Sequence, residues 1–116
     1  MSIKRDRIRY LILVQLGVVT QERIKECFPR VRKYLEGISG GEMKMIFATP
    51  SGDAVGCLFK THLYAHKIIT DLMGTSQNPP AGSSILYRDD SAIVVEVGED
   101  FSGTGFSQGW NWLQHH

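Results

Sequence analysis

The sequence is poor in cysteine, in long apolar runs and in charge of one sign. Only two cysteines occur among its 116 residues, and 13 lysines and arginines against 12 acidic residues leave a formal net charge of +1. Free cysteine is among the residue types most often buried, and Cys27 and Cys57 both lie in apolar surroundings. We therefore expect both thiols to pack in the core rather than to form a disulfide.

No stretch near the N-terminus has the length of a membrane span. The apolar run over residues 10–16 is seven residues long and contains Gln15, whereas a transmembrane helix needs about 20 apolar residues. The run is also not followed by the small-residue cleavage site of a signal peptide. We therefore expect a cytoplasmic protein that does not bind membranes.

The composition is that of an ordinary globular chain, with 42% hydrophobic and 22% charged residues. At about 150 residues per domain, the length predicts one domain over residues 1–116. Residues 1–7 form a basic N-terminal lead, and residues 99–116 form a tail rich in glycine and aromatic residues. Internal repeats are absent from the sequence.

One amphipathic helix is predicted over residues 20–38. Its apolar residues recur at the 3.6-residue period of one helical face, and Thr20 is placed to cap its N-terminus. Pro29 lies inside the pattern, and an interior proline removes one backbone hydrogen bond, so we expect a kink or a split near Phe28. The apolar face consists of Ile24, Cys27, Phe28, Val31, Leu35 and Ile38.

The remaining secondary-structure elements are predicted from the alternation of apolar and polar residues and from turn-forming residues. Residues 8–16 are apolar on both faces, which is typical of a central strand. Residues 43–49 and 54–60 alternate around a Pro-Ser-Gly-Asp turn and predict a hairpin. A second helix is predicted from a Thr61 cap to Met73. Residues 85–88 and 92–97 predict either a further hairpin or one bent strand.

This order predicts an α+β fold of the ferredoxin-like type, βαββαβ. In that layout an antiparallel sheet carries both helices on one face, and the first strand is central. Because the first strand is apolar on both faces, we expect the other sheet face to be covered by the aromatic tail or by a second copy of the protein.

The net charge is close to zero, but the charges are unevenly distributed along the chain. Residues 1–37 contain nine bases and four acids, and residues 38–116 contain four bases and eight acids, so the two parts carry +5 and −4. Clustered bases are typical of nucleic-acid surfaces, although the same residues also serve as the solvated face of a helix. The candidate nucleic-acid contacts are Arg5, Arg7, Arg9, Arg23, Arg30 and Lys33.

The helices also resemble those of the RNA-recognition-motif family. Residues 19–28 (VTQERIKECF) are similar to its first helix, and residues 65–74 (AHKIITDLMG) to its second helix and the glycine after it. Members of that family stack bases on aromatic residues of the first and third strands. The matching residues here are Leu13, Val55 and Cys57, so the resemblance supports the fold and implies RNA binding without a stacking platform.

The sequence contains no complete catalytic or metal-binding pattern. His62 and His66 are spaced by one helical turn and Cys57 precedes them, but zinc takes three or four protein ligands. The glycine-rich residues 103–109 match neither the dinucleotide nor the phosphate-loop pattern. We therefore predict no catalytic residue, no cofactor and no metal site, and we keep a metal or enzymatic role as the minority hypothesis.

The tail places five large apolar side chains in thirteen residues, including Phe101. Burying each such side chain is worth roughly 1.5–3 kcal/mol, so they either dock on the domain's own sheet or anchor a partner. The leading hypothesis is a small non-catalytic protein-interaction or regulatory domain that self-associates, and the alternative is binding of RNA or single-stranded DNA. The candidate protein-interface residues are Phe106, Trp110, Trp112 and Leu113.

Overall fold

The computed structural model describes residues 6–74, 85–98 and 112–113. Within these ranges the strands form one antiparallel sheet in the order β2-β3-β1-β4, which confirms an α+β fold with a four-stranded sheet and two helices. The elements in chain order are β1 (Ile8–Gln15), α1 (Gln21–Ser39), β2 (Met43–Ala48), β3 (Ala54–Thr61), α2 (Ala65–Met73) and β4 (Ser91–Glu96).

Helix α1 begins after the predicted Thr20 cap and ends one residue beyond the predicted range. The Thr20 hydroxyl oxygen accepts a hydrogen bond from the Arg23 backbone N–H at 3.1 Å, which satisfies one of the free donors of the first turn. Gly40 ends the helix in the left-handed region, at φ 63°, a conformation that glycine adopts without steric cost. The helix continues without a break through Pro29, so the predicted split does not occur.

The central strand β1 buries one of its two faces under the helices. Tyr10, Ile12 and Val14 point to this face and are at most 3% exposed. They lie directly opposite Phe59, Cys57 and Val55 of β3, and the Tyr10 and Phe59 rings are 5.6 Å apart. Because side chains alternate along each strand, every second residue of β1 and the residue opposite it on β3 face the same core.

Both helices contribute to this same core. Leu35 of α1 and Ile68 and Leu72 of α2 are fully buried against it, and each such side chain contributes roughly 1.5–3 kcal/mol. Cys27 and Cys57 are buried and free, as predicted. The half-buried hydrophobic residues of α1 that complete its predicted apolar face are Ile24, Phe28 and Ile38.

Two boundaries differ from the sequence prediction. Helix α2 is capped at Tyr64 rather than Thr61, because Thr61 is the last residue of β3 and its hydroxyl donates to the Ile38 carbonyl at 2.8 Å. Residues 85–90 form neither a hairpin strand nor part of a bent strand. Instead the backbone N–H groups of Ile85 and Leu86 donate to the Leu72 carbonyl, which docks this segment on the end of α2.

Candidate interaction site

The sheet face opposite the helices, called the open face below, carries an apolar stripe formed by residues of β1, β2 and β4. Leu13 of β1 lies directly between Gly56 of β3 and Ile93 of β4, and Phe47 of β2 lies on the other side of Gly56. Leu13 is 37% exposed, Ile93 54% and Val95 42%. We call Leu13, Phe47, Ile93 and Val95 the open-face stripe.

Gly56 is required by the position of Phe47 in this stripe. A Cβ atom built on Gly56 would lie 2.3 Å from Cε1 of the Phe47 ring and 3.1 Å from Cδ2 of Leu13. A glycine in a strand interior often marks such a close approach. The Phe47 ring therefore occupies the space that a side chain at position 56 would need.

A short C-terminal segment, residues 112–113, covers the neighbouring part of the open face. Trp112 and Leu113 are 8% and 7% exposed and pack on Leu58, together with the half-buried Leu11, Ile46 and Val97. These two predicted interface residues therefore lie on the protein's own sheet, where they have little surface left for a partner. Phe106 and Trp110 lie outside the described residues.

Arg9 ties this segment to the sheet. Its guanidinium donates to the Leu113 carbonyl at 3.1 Å and to the Gly98 carbonyl at 2.7 Å. Hydrogen bonds with a charged donor are stronger than neutral ones. Arg9 thus holds the residue after Trp112 close to the end of β4, a role that its position in the basic N-terminal third did not suggest.

Two of the other basic candidates are also engaged within the chain. Arg7 forms an ion pair with Glu42 and donates to the Ser39 carbonyl at 3.3 Å. Arg30 pairs with Glu26 one helical turn away, at 3.4 Å. Lys33 is exposed on α1, and Arg5 lies outside the described residues.

The structure corrects the prediction that Arg23 belongs to the solvated face of α1. It is only 8% exposed, forms an ion pair with Asp90 and lies over the Tyr87 ring at 3.8 Å. Its guanidinium also donates to the Ile85 carbonyl at 3.2 Å. Arg23 therefore fastens residues 85–90 to α1, and little of its side chain is left exposed.

Asp90 is held ionised by several donors. Burial by itself would raise the pKa of Asp90, but hydrogen bonds from the Tyr87 and Gly17 backbone N–H groups and the Arg23 charge outweigh it, so the pKa is lowered. Those two N–H groups lie 2.8 and 3.0 Å from the carboxylate. Asp90 therefore holds the turn that begins at Tyr87 and also forms the ion pair with Arg23.

The residues of the metal and enzymatic hypothesis are not brought together as ligands. His62 precedes α2, so the two histidines do not share one turn of that helix, and both are exposed. Cys57 faces the core, where burial raises its thiol pKa to about 11, and burial also raises the thiol pKa of Cys27. Raised pKa values make these thiols poor nucleophiles at neutral pH. Within the described ranges, no group of three or more candidate metal ligands occurs.

The positions suggested by the RNA-recognition-motif resemblance are split between the two sheet faces. Leu13 lies on the open face, but Val55 and Cys57 point into the core under the helices. The open-face residues of β3 are Gly56 and Leu58, which alternate with them. The only aromatic residue of the open-face stripe is Phe47, on β2, a strand that the resemblance did not indicate.

Comparison with protein-family models, with curated proteins and with solved structures found no significant match for the chain. In the part of the chain that the structure describes, no helix has the length and apolar character needed to cross a membrane.

Proposed function

We propose that this chain is a non-catalytic protein-interaction domain that associates with a second copy through the open-face stripe. The observation that carries the proposal is the exposure of Leu13, Ile93 and Val95 on the face opposite the helices. Contiguous exposed apolar residues of this kind mark interaction surfaces. Trp112 and Leu113 already cover the adjacent part of that face, so among the described residues the stripe is the part left for a partner.

We further propose that the fold is the ferredoxin-like one. Read from the β4 edge, the strand order is β4-β1-β3-β2, all neighbouring strands are antiparallel, and the helices follow β1 and β3. This order supports the layout expected from the sequence. The open face is then the face on which such a sheet is free to meet a partner.

A second copy is favoured as the partner on electrostatic grounds. A net charge of +1 gives two copies almost no long-range repulsion, and proteins far from neutrality are kept apart by their charge. The stripe also reaches the edge of the sheet, because its most exposed member, Ile93, lies on β4. A cytoplasmic location for this association stays a prediction.

Sedimentation velocity over a range of micromolar concentrations tests the self-association. The wild-type chain is expected to show a dimer, and Ile93→Lys is expected to shift it to the monomer because a charge cannot be desolvated cheaply at an apolar contact. Val18→Lys is the matched control, since Val18 is 56% exposed but lies outside the sheet. A wild-type chain that stays monomeric at every concentration contradicts the proposal.

The nucleic-acid alternative has less support from the side-chain contacts. Arg7, Arg9 and Arg23 donate to groups of the same chain, which leaves fewer donors for phosphates. Titration with single-stranded RNA at low and at high salt distinguishes it, since phosphate binding weakens steeply with salt. Salt-sensitive binding would favour this alternative over the protein-interaction proposal.

A further inference from the structure

We infer that the second copy joins at the edge of β4, where two antiparallel β4 strands pair about a two-fold axis at Val94 and make one continuous eight-stranded sheet. This inference rests on the proposed self-association and names the surface that carries it. It follows from three properties of β4: its edge, which pairs with no further strand among the described residues, the direction of its backbone groups and the register of its side chains.

The two edge strands of the sheet differ in how they are protected. β2 carries Lys44 on the open face and a register shift between Met45 and Phe47, and lysines and bulges are devices that prevent edge pairing. β4 has the sequence SAIVVE, with neither proline nor lysine, and a continuous register with β1. Among the described residues, β4 pairs with β1 alone. β4 is therefore the edge that is suited to strand addition.

The hydrogen-bond pattern shows which backbone groups β4 directs outward. The Val97 N–H donates to the Arg9 carbonyl at 2.8 Å, and Arg9 lies opposite Val97 in a continuation of the β1–β4 register. Hydrogen-bonded pairs alternate along an antiparallel ladder, so Ile93 and Val95 also bond toward β1. The residues between them direct their N–H and carbonyl groups to the free edge, namely Ala92, Val94 and Glu96.

A two-fold axis at Val94 uses all three of these residues. Val94 then pairs with Val94 of the second copy, and Ala92 pairs with Glu96 of the second copy, which forms hydrogen-bonded pairs along the shared edge. On the open face, Ile93 comes opposite Val95 of the second copy. Their Cα atoms would be about 4.5 Å apart, the spacing of a non-hydrogen-bonded pair. β-Branched residues stabilise such cross-strand pairs.

Antiparallel pairing also allows axes at Ile93, Val95, Glu96 and Ala92, and each is less favourable. An axis at Ile93 places Glu96 opposite Asp90 of the second copy, and an axis at Val95 brings the two Glu96 carboxylates to the diagonal spacing of about 7–8 Å. An axis at Glu96 brings two carboxylates directly opposite each other, which is destabilising. An axis at Ala92 places Val94 against Asp90 of the second copy, whose carboxylate is already bound to Arg23. The Val94 axis separates the two Glu96 carboxylates by four residues along the strand, or about 13 Å at the usual rise.

Hydrogen exchange measured by NMR on the full chain tests the inference. At concentrations where sedimentation shows the dimer, the amides of Ala92, Val94 and Glu96 are expected to exchange slowly, and dilution is expected to abolish that protection. The amides of Ile93 and Val95 serve as the internal control, because they bond to β1 and stay protected at every concentration.

Each other result overturns the inference in a distinguishable way. A dimer in which the three outward amides exchange rapidly, or protection that does not change on dilution, rules out β4 pairing and leaves self-association standing. A strict monomer contradicts both proposals.

A proline variant provides a second measurement. Ala92→Pro removes one outward donor in each copy, and edge strands tolerate proline, so the monomer is expected to keep its circular dichroism spectrum. The dissociation constant of the dimer is expected to rise about tenfold or more, because two hydrogen bonds are lost across the symmetric edge. Ala92→Ser keeps the donor and is the matched control. A folded Ala92→Pro variant that dimerises like Ala92→Ser would also overturn the inference.

Discussion

Arg23 in the first turn of α1 and Asp90 immediately before β4 form a buried ion pair. Their side chains are 9% and 2% exposed, and they are separated by 67 positions in the sequence. The pair joins the start of the first helix to the segment that leads into the edge strand. Removing one member of a buried pair leaves an uncompensated charge, which costs more than the pair contributes when intact.

Asp90→Ala is therefore expected to lower the free energy of unfolding by about 3–5 kcal/mol. Urea denaturation followed by circular dichroism measures the loss. Asp89→Ala is the control, because Asp89 is the exposed neighbour in the same turn and exposed substitutions usually stay within about 0.5 kcal/mol. Equal losses in the two variants would show that the pair is not a source of stability.

Stability is also expected to fall in acid because of Asp90. Its pKa is lowered in the folded chain, so the folded state binds the proton more weakly than the unfolded state does. The resulting stabilisation is complete above the ordinary aspartate pKa of about 3.9 and is lost as the pH falls through the lowered value. Asp71 adds to the same trend, because hydrogen bonds from Lys67 and Tyr34 outweigh burial and lower its pKa.

Urea midpoints measured between about pH 6 and pH 2 test this expectation. The wild-type midpoint should decline over the acid end of that range, and Asp90→Asn should start lower and decline less. A variant whose midpoint declines as steeply as that of the wild type would exclude Asp90 as a source of the acid sensitivity.

Gly56→Ala is expected to destabilise the fold by about 1–3 kcal/mol, the usual cost of overpacking. The new methyl group would meet the Phe47 ring, which lies 2.3 Å from the Cβ position. In a Phe47→Ala background most of this cost should disappear, and the double-mutant cycle measures the coupling. Gly98→Ala is the control, since a Cβ there meets nothing within 4 Å. Additive costs in the cycle would contradict the close contact.

Arg9→Met is expected to loosen the docked C-terminal segment. It removes the hydrogen bonds to the Leu113 and Gly98 carbonyls while keeping an apolar stem of similar length. In a Trp110→Phe background Trp112 is the sole indole, so its emission should shift to the red and acrylamide should quench it more strongly. Lys25→Met, an exposed change on α1 on the opposite side of the sheet, should leave both signals unchanged. If Arg9→Met leaves them unchanged as well, Arg9 is not the anchor.

The predictions from local sequence patterns were most accurate for helix α1 and for the hairpin. The period of Cys27, Val31 and Leu35 identifies the buried face of α1, and Thr20 identifies its first turn. The hairpin of β2 and β3 follows from alternation around its turn. These features depend on neighbours a few residues apart, so the sequence pattern contains the information directly.

The candidate site depended on contacts that no local pattern records. Arg23 lies at a polar position of the predicted helix, and its burial follows from Asp90 and Tyr87 in a distant segment. The open-face parity of β3 was also misassigned in the resemblance, because a strand buried over five consecutive residues does not show by alternation which side faces the helices.

The sequence by itself determined the α+β class, the order of the elements and the apolar face of α1, because each depends on periodicity within a short segment. Only the tertiary structure decided that Arg9 contacts the segment at Trp112 and that the apolar stripe ends on β4, which is an edge strand among the described residues. The physical reason is distance along the chain: Arg9 and Leu113 are 104 positions apart. Their hydrogen bond exists only because the sheet brings β1 beside β4.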